Sequence, residues 1–381
     1  MLSSFLAKKP LFYDKIDYDR MPRIYAKIKK YLPKTPMIHI IGTNGKGTTG
    51  RFLATALFNG GYKTLHYTSP HISKFNERIW IDGKNISDEM LEDAHKKLQL
   101  ILSKDESDSL SYFEYSTFLA FLLSSGCDFA VFEAGLGGER DATCVFEKKL
   151  TLLSSVDIDH ESFLGSTIEE IATTKLKAMQ KDIVIGEQRF SQVLDIAHKT
   201  ATQLGTNVYT YKQLLDSEDM DKILKISDML ELPLYLQQNL KLAISGLKFL
   251  DIEYGMKSFD GARLFGRLSK IGENIVIDVG HNPLAATSVL KALSGKKYIL
   301  VYNSYKDKDY NKIISILKPI IKHVEIIDIE DERVVKKELL QTSLNSLGVK
   351  YSTFTKIDNR YDYLVFGSFS VVEQFLKVFH G

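Results

Sequence analysis

The residues best suited to chemistry form one run, Gly42-Thr43-Asn44-Gly45-Lys46-Gly47-Thr48. Its three glycines let backbone N–H groups close around an anion, and a helix starting there adds a favourable dipole. Lys46 has the length to meet terminal phosphates, and the Thr48 hydroxyl is the type of group that ligates Mg²⁺. The usual phosphate loop carries its hydroxyl directly after the lysine, whereas here Gly47 intervenes. A glycine-rich turn that binds nothing is the plain alternative. The flanking elements weigh against it. Met37–Ile41 reads as a buried strand bounded by Pro36, and 49–59 reads as a helix with Phe52, Leu53, Ala56 and Leu57 at helical spacing, stopped by Gly60-Gly61.

Other polar groups stand at predicted strand ends, where open α/β sheets bind ligands. A strand over 63–68 ends in Ser69-Pro70-His71-Ile72. A strand over 129–133 ends on Glu133, followed by Gly135-Leu136-Gly137-Gly138 and Asp141-Ala142-Thr143. Glu133 alone reads equally as a solvated strand-end carboxylate; its glycine-rich neighbour favours a role at Mg²⁺ opposite the phosphate loop. A strand over 150–156 leads to Asp159-His160, and a lone histidine there is more often structural than a ligand. Beside Glu133 and the loop it becomes a candidate metal ligand. Lys175 and Lys177 ride on a helix begun by a capping box at Ser166–Glu169 and running to 179; alone, both would be surface lysines.

The remaining elements position these groups. The spacing predicts a helix over 22–32, a hairpin around Asp82-Gly83, and a helix over 88–102 capped by Ser87. A charged, solvated loop is expected over 104–108, then a helix over 116–123. Strands over 182–186 and 207–211 flank a helix over 191–204, and Asn239 lies in a helix over 236–250. Residues 259–267 read as a linker, after which βα alternation restarts. A strand over 275–279 is followed by Gly280-His281-Asn282-Pro283, with Asn282 as N-cap and Pro283 at the first helical position. Further strands are expected over 298–302, 324–327 and 363–366.

At 381 residues two domains are the natural expectation. A formal charge of +2 without a Lys/Arg run argues against a nucleic-acid surface. The two cysteines, Cys127 and Cys144, suit neither a disulfide framework nor a zinc site. Residues 1–11 lack the apolar core of a signal peptide, and no apolar run is long enough for a bilayer. The expectation is a cytoplasmic, monomeric enzyme with neither membrane nor nucleic-acid partner.

Seven motifs occur in a telling order: Gly42 to Thr48; Thr68-Ser69-Pro70-His71; Glu133 to Gly138 with Asp141-Ala142-Thr143; Asp159-His160 with Leu164-Gly165; Gly266-Arg267-Leu268; Asp278 to Pro283; and Asp307-Lys308-Asp309. Together, from about residue 20 onward, they resemble the folylpolyglutamate synthase/dihydrofolate synthase family of the Mur ligase superfamily. The resemblance implies an α/β fold: a P-loop, Mur-ligase-like domain over 1–258 with a mainly parallel sheet and the pteroate or folate site, a linker over 259–267, and a smaller Rossmann-like α/β domain over 268–381 serving glutamate ligation. It implies ATP-dependent joining of L-glutamate to dihydropteroate or to folate tails through an acyl phosphate, with ATP and Mg²⁺ in two sites.

By the same resemblance Thr43, Asn44, Gly45, Lys46, Gly47, Thr48, Asn239, Arg267, Asp278 and His281 would bind ATP. Thr48, Ser69, Glu133 and His160 match metal positions, and Lys175 falls where the family carries a carbamylated lysine; an unmodified ammonium cannot ligate a metal. Lys46, His281 and modified Lys175 would carry the catalysis. Ser111-Tyr112-Phe113-Glu114-Tyr115 resembles a stretch of the bifunctional enzymes, which implies that Phe113 stacks on the pterin while Asp141 and Ala142 contact it. Phe113 equally reads as a core aromatic. The chain departs from the family pattern at Glu139-Arg140, where the arginine is shifted by one, at Cys144 in place of Asn, and at Thr174-Lys175-Leu176-Lys177-Ala178, which lacks the acid before the lysine and makes Lys177 a nearby alternative. A cell-wall ligase of the Mur type is the nearest competing reading, although its extra N-terminal domain has no room before Gly42. A P-loop ATPase switch is the competitor from another class, and His281-Asn282-Pro283 argues against it.

Overall fold

The computed structural model describes residues 1–10 and 17–380; Leu11, the last residue of the amino-terminal stretch considered above, lies outside them. The chain divides into two compact units, Met1–Ala262 and Arg263–Gly381.

The first unit is built on an eight-stranded sheet of β1 (Met37–Ile41), β2 (Thr64–Tyr67), β3 (Ile79–Ile81), β4 (Lys84–Asn85), β5 (Phe129–Glu133), β6 (Lys148–Leu153), β7 (Asp182–Ile185) and β8 (Asn207–Thr210). Their spatial order is β4-β3-β2-β5-β1-β6-β7-β8. The run from β2 to β8 is parallel, and β3 alone runs against it, pairing antiparallel with both β2 and β4. A parallel sheet is covered on both faces, which explains why β1 and β2 are buried at every residue and β6 at all but one, polar side chains such as His39 and His66 included. In β1, Ile38 and Ile40 face the core beneath helices Lys46–Asn59, Ser217–Met229 and Leu234–Phe249, whereas Met37 and Ile41 face the opposite layer. The helix after β1 leads to β2, which lies beyond β5. That skip opens a crevice at the carboxyl ends of β5 and β1.

The second unit carries β9 (Ser269–Ile271), β10 (Ile275–Asp278), β11 (Tyr298–Tyr302), β12 (Ile321–Ile326), β13 (Tyr351–Thr353) and β14 (Tyr363–Phe366) in the order β13-β12-β11-β14-β10-β9. All neighbours are parallel except β9 against β10. The unit boundary falls within the 259–267 segment read as a linker, and Phe259 and Ala262 are fully buried in the first unit's core.

Several boundaries differ from the sequence expectation, and caps explain most of them. The expected solvated loop at 104–108 is the helix Lys104–Ser109, because Ser103 and Glu106 form a reciprocal capping box. The helix expected from 116 begins at Tyr112, capped by Ser111 with Glu114. The box expected at Ser166–Glu169 is shifted by one to Thr167 and Glu170, and its helix ends at Leu176 rather than 179. The helix expected from 49 starts at Lys46, since the positive φ of Gly45 (87°) ends the loop there. The helix expected over 22–32 is Arg20–Ile28 followed by a 3₁₀ turn, Lys29–Tyr31. The helix Ser217–Met229 was not anticipated; Asp216 caps it.

Candidate active site

Four adjacent parallel strands, β2, β5, β1 and β6, deliver their carboxyl ends to one edge, and the motif residues of the first unit gather there. The loop after β1 is tied to the end of β6: Thr43 N–H donates to Ser155 O at 2.8 Å, and Thr43 Oγ1 donates to Asp157 O at 3.0 Å. Gly45 is needed on two grounds. Its φ is +87°, and a Cβ there would lie 2.2 Å from Asn239 Oδ1, so the same observation brings Asn239 against the loop.

Lys46 Nζ folds back over its own turn, donating to Gly42 O and Thr43 O at 3.2 and 3.1 Å, and lies 4.0 Å from Glu133 Oε1. Glu133 is buried. Its Oε2 accepts from the Thr68 hydroxyl and from Ser69 N–H (3.1 Å), which turns Oε1 towards Lys46. Thr48 Oγ1 is buried with no hydrogen-bond partner among the described residues. Thr49, Thr55 and Thr151 share that state, and what sets Thr48 apart is its place in the turn that Lys46 and the glycines build. The donor set of a hydroxyl and a carboxylate oxygen suits a hard, oxygen-loving cation. Among the described residues no three His, Cys, Asp or Glu side chains converge as a ready metal cluster. His160 stands at positive φ (54°) as the N-cap of the short helix Glu161–Leu164.

The two lysines of the helix Ile168–Leu176 region are sharply different. Lys177 is exposed and pairs with Glu139 at 3.3 Å. Lys175 is only 1% exposed; its Nζ donates to Leu136 O at 2.8 Å. Burial, and next the charge of Lys46, lower its pKa to about 7, against the opposing pull of Asp159 and Asp141. A lysine near neutrality is a nucleophile towards CO₂; a charged, ion-paired one is not. Burial and partners therefore separate the two: Lys175 lies inside against the 135–138 loop, and Lys177 lies outside in an ion pair.

Phe113, Gly135 and Asp141 converge. A Cβ on Gly135 would lie 2.8 Å from the Phe113 ring and 3.2 Å from Asp141 Oδ2. Phe113 is half-buried and stacks on Tyr67 at 6.1 Å. Asp141 Oδ1 accepts from Thr143 N–H (3.0 Å) and Oγ1 (2.6 Å), while Oδ2 accepts from Gly137 N–H (3.1 Å). Ala142 is buried beside it. An aromatic ring and a carboxylate oxygen packed against the bare Gly135 backbone set a stacking surface next to an acceptor for N–H donors.

Within the second unit, Asp278 ends β10 and pins two turns, accepting from Leu268 N–H (3.0 Å) and Gly280 N–H (2.8 Å). Arg267, next to the first turn, lies over the Phe369 ring at 5.5 Å, and His281 Nδ1 is 3.3 Å from Val279 O. These three share one end of that sheet.

Two groups at the first unit's edge carried no role in the sequence reading. Thr68 holds Glu133, and His39 lies behind the 135–143 loop with Nε2 2.7 Å from Thr143 Oγ1. The available signal for His39 was a polar residue in the otherwise apolar strand Met37–Ile41.

No family model matches the chain. A dihydrofolate synthase/folylpolyglutamate synthase of Haemophilus influenzae is 31% identical over 98% of this chain and 96% of its own length. The crystal structure of Helicobacter pylori folylpolyglutamate synthetase is 36% identical, with a TM-score of 0.80 over 99% of this chain and 97% of that one. A bifunctional folylpolyglutamate synthase/dihydrofolate synthase from Yersinia pestis, solved with AMPPNP and a Mn ion, shares the fold at 21% identity and a TM-score of 0.82, covering 100% and 97% of the two chains.

Proposed function

The chain belongs to the dihydrofolate synthase/folylpolyglutamate synthase family, and from that premise we propose that it ligates L-glutamate to dihydropteroate and to the glutamate tails of reduced folates at the expense of ATP. The observation that carries the reading is the glycine turn at the carboxyl edge of a parallel sheet that sets Lys46 4.0 Å from buried Glu133 and leaves the Thr48 hydroxyl buried without a partner among the described residues.

A carboxylate is a poor acyl donor, so its oxygen first attacks the γ-phosphorus of ATP. An O–P bond forms, the bond to the β-phosphate bridging oxygen breaks, and ADP leaves. The glutamate amine then attacks the acyl carbon, a C–N bond forms, phosphate leaves with the C–O electrons, and the amine sheds a proton. Lys46 swings from its own loop carbonyls to the transferring phosphoryl oxygens, and the loop N–H groups of 43–48 hold the β-phosphate. Thr48 and Glu133 would hold a divalent cation, whose chemistry there would be to neutralise charge on the transferring phosphoryl oxygens. We assign Mg²⁺ to that position and to a second one served by Ser69, His160 and carbamylated Lys175. Asn239 and, from the second unit, Arg267, Asp278 and His281 are assigned to ATP. Phe113, Asp141 and Ala142 are assigned to the acceptor ring. We read the enzyme as a cytoplasmic monomer acting on small molecules.

Product analysis with dihydropteroate and with tetrahydrofolate as separate acceptors tests the reaction. ADP release that requires both glutamate and an acceptor is expected, with glutamylated product from each; release without them would mean a simple ATPase. Lys46→Ala is expected to lower turnover by about 10²–10³, the scale of one preorganised charge.

A further inference from the structure

The Asp141 carboxylate is held by a chain of hydrogen bonds that begins in the core. Thr143 Oγ1 lies 2.6 Å from Asp141 Oδ1 and 2.7 Å from His39 Nε2, and His39 and Thr143 are both fully buried. A carboxylate only accepts, so the single hydroxyl proton of Thr143 points to Asp141. Thr143 Oγ1 must then accept from His39, which makes Nε2 the protonated nitrogen. The other ring nitrogen agrees: Nδ1 is buried with no partner among the described residues, a place for a bare lone pair rather than a proton. Burial, and then the charge of Lys148, hold the imidazole neutral. Oδ1 of Asp141 is thereby filled by two donors, the Thr143 amide and hydroxyl, while Oδ2 has one, the Gly137 amide. Oδ2 is the oxygen that faces Gly135 and the Phe113 ring.

We propose that His39 is a positioning residue for acceptor recognition: as the neutral Nε2–H tautomer it orients Thr143, which turns Asp141 so that Oδ2 alone accepts an N–H of a flat heterocycle stacked on Phe113. This rests on the reading of Phe113 and Asp141 as the acceptor site. The relay ties the acceptor slot to β1, the strand that also ends in the phosphate turn. One open acceptor position fits a ring with a donor edge and rejects a carbonyl presented there.

The test uses the full chain with dihydropteroate, ATP and glutamate. His39→Leu is expected to raise the dihydropteroate KM about ten-fold, the scale of one hydrogen bond to a charged group, with the KM for ATP unchanged. His39→Gln, whose side-chain amide donates from nearly the same place, restores most of the loss. Thr143→Val reproduces it, and His39→Leu adds nothing in an Asp141→Ala background. Nitrogen NMR of the unsubstituted protein is expected to show His39 protonated at Nε2 and bare at Nδ1. An Nδ1–H tautomer, equal rises in both KM values, or full additivity with Asp141→Ala would overturn the proposal. If His39→Leu does not fold, Thr143→Val and the NMR tautomer decide it. Asp141→Ala without effect on dihydropteroate removes the acceptor-site reading itself, whereas an effective Asp141→Ala beside ineffective His39→Leu and Thr143→Val removes only the role of His39.

Discussion

The Thr48 hydroxyl is one of several buried without a partner among the described residues, and its place in the phosphate turn is what makes it a test of the site. Buried without a partner, it lowers the stability of the empty protein, because a desolvated polar group has given up water for nothing. Thr48→Val keeps the shape and removes the hydroxyl. We expect unfolding stability unchanged or raised by about 1 kcal/mol, and cation-dependent turnover lowered by about 10²–10³. Parallel losses in both would make Thr48 a structural residue. Lys175 follows the same logic more strongly. At 1% exposure, with a pKa lowered to about 7, its amine resides where a charge is unwelcome. Lys175→Met is expected to raise stability by about 1–3 kcal/mol while abolishing glutamate ligation, read by thermal unfolding and product formation on the same preparation. An active Lys175→Met would remove the lysine from the mechanism.

At the level of elements, the strands were legible because a parallel sheet buried on both faces leaves short apolar runs that few other structures require. β1 and β5 were anticipated to the residue, whereas the strand expected over 150–156 is Lys148–Leu153, because the chain leaves the sheet at Ser154 to tie down the phosphate turn. Helix starts were less legible where the capping pair was overlooked. Lys104–Ser109 is nearly all polar, so periodicity says loop; the Ser103–Glu106 reciprocal bonds say helix. Ser103→Ala is expected to lose about 1 kcal/mol and to speed amide exchange over 104–109 alone; unchanged exchange there would mean that packing, not the cap, holds the turn. The same distinction applies to the site. Motif order named Phe113 and Asp141, but their convergence over Gly135 depends on a 3₁₀ turn, Ala142–Val145, and a helix start at Tyr112 that residue types alone did not fix. His39 was invisible for the opposite reason: its role depends on which proton sits where, a property of the assembled network.

For the whole molecule the decisive question is where one core ends. The segment 259–267 looks like a linker by composition, with Gly261 exposed at positive φ (74°) and Arg263 exposed. Its first part nevertheless belongs to the first unit, since Phe259 and Ala262 are fully buried among residues of the 46–59 and 234–249 helices' layer. The boundary expected at 258 from the sequence and the packing boundary at 262 therefore make different predictions about truncation. A chain ending at Arg263 retains Phe259; one ending at Lys257 loses it, at a loss of about 3–5 kcal/mol, the scale for removing a buried Phe. The longer fragment is expected to unfold cooperatively in urea at a clearly higher midpoint, and limited trypsin digestion of the intact chain is expected to leave a product ending at Arg263 rather than at Lys257. Coincident midpoints for the two fragments would show that Phe259 contributes nothing to the first core and that the linker begins where composition places it.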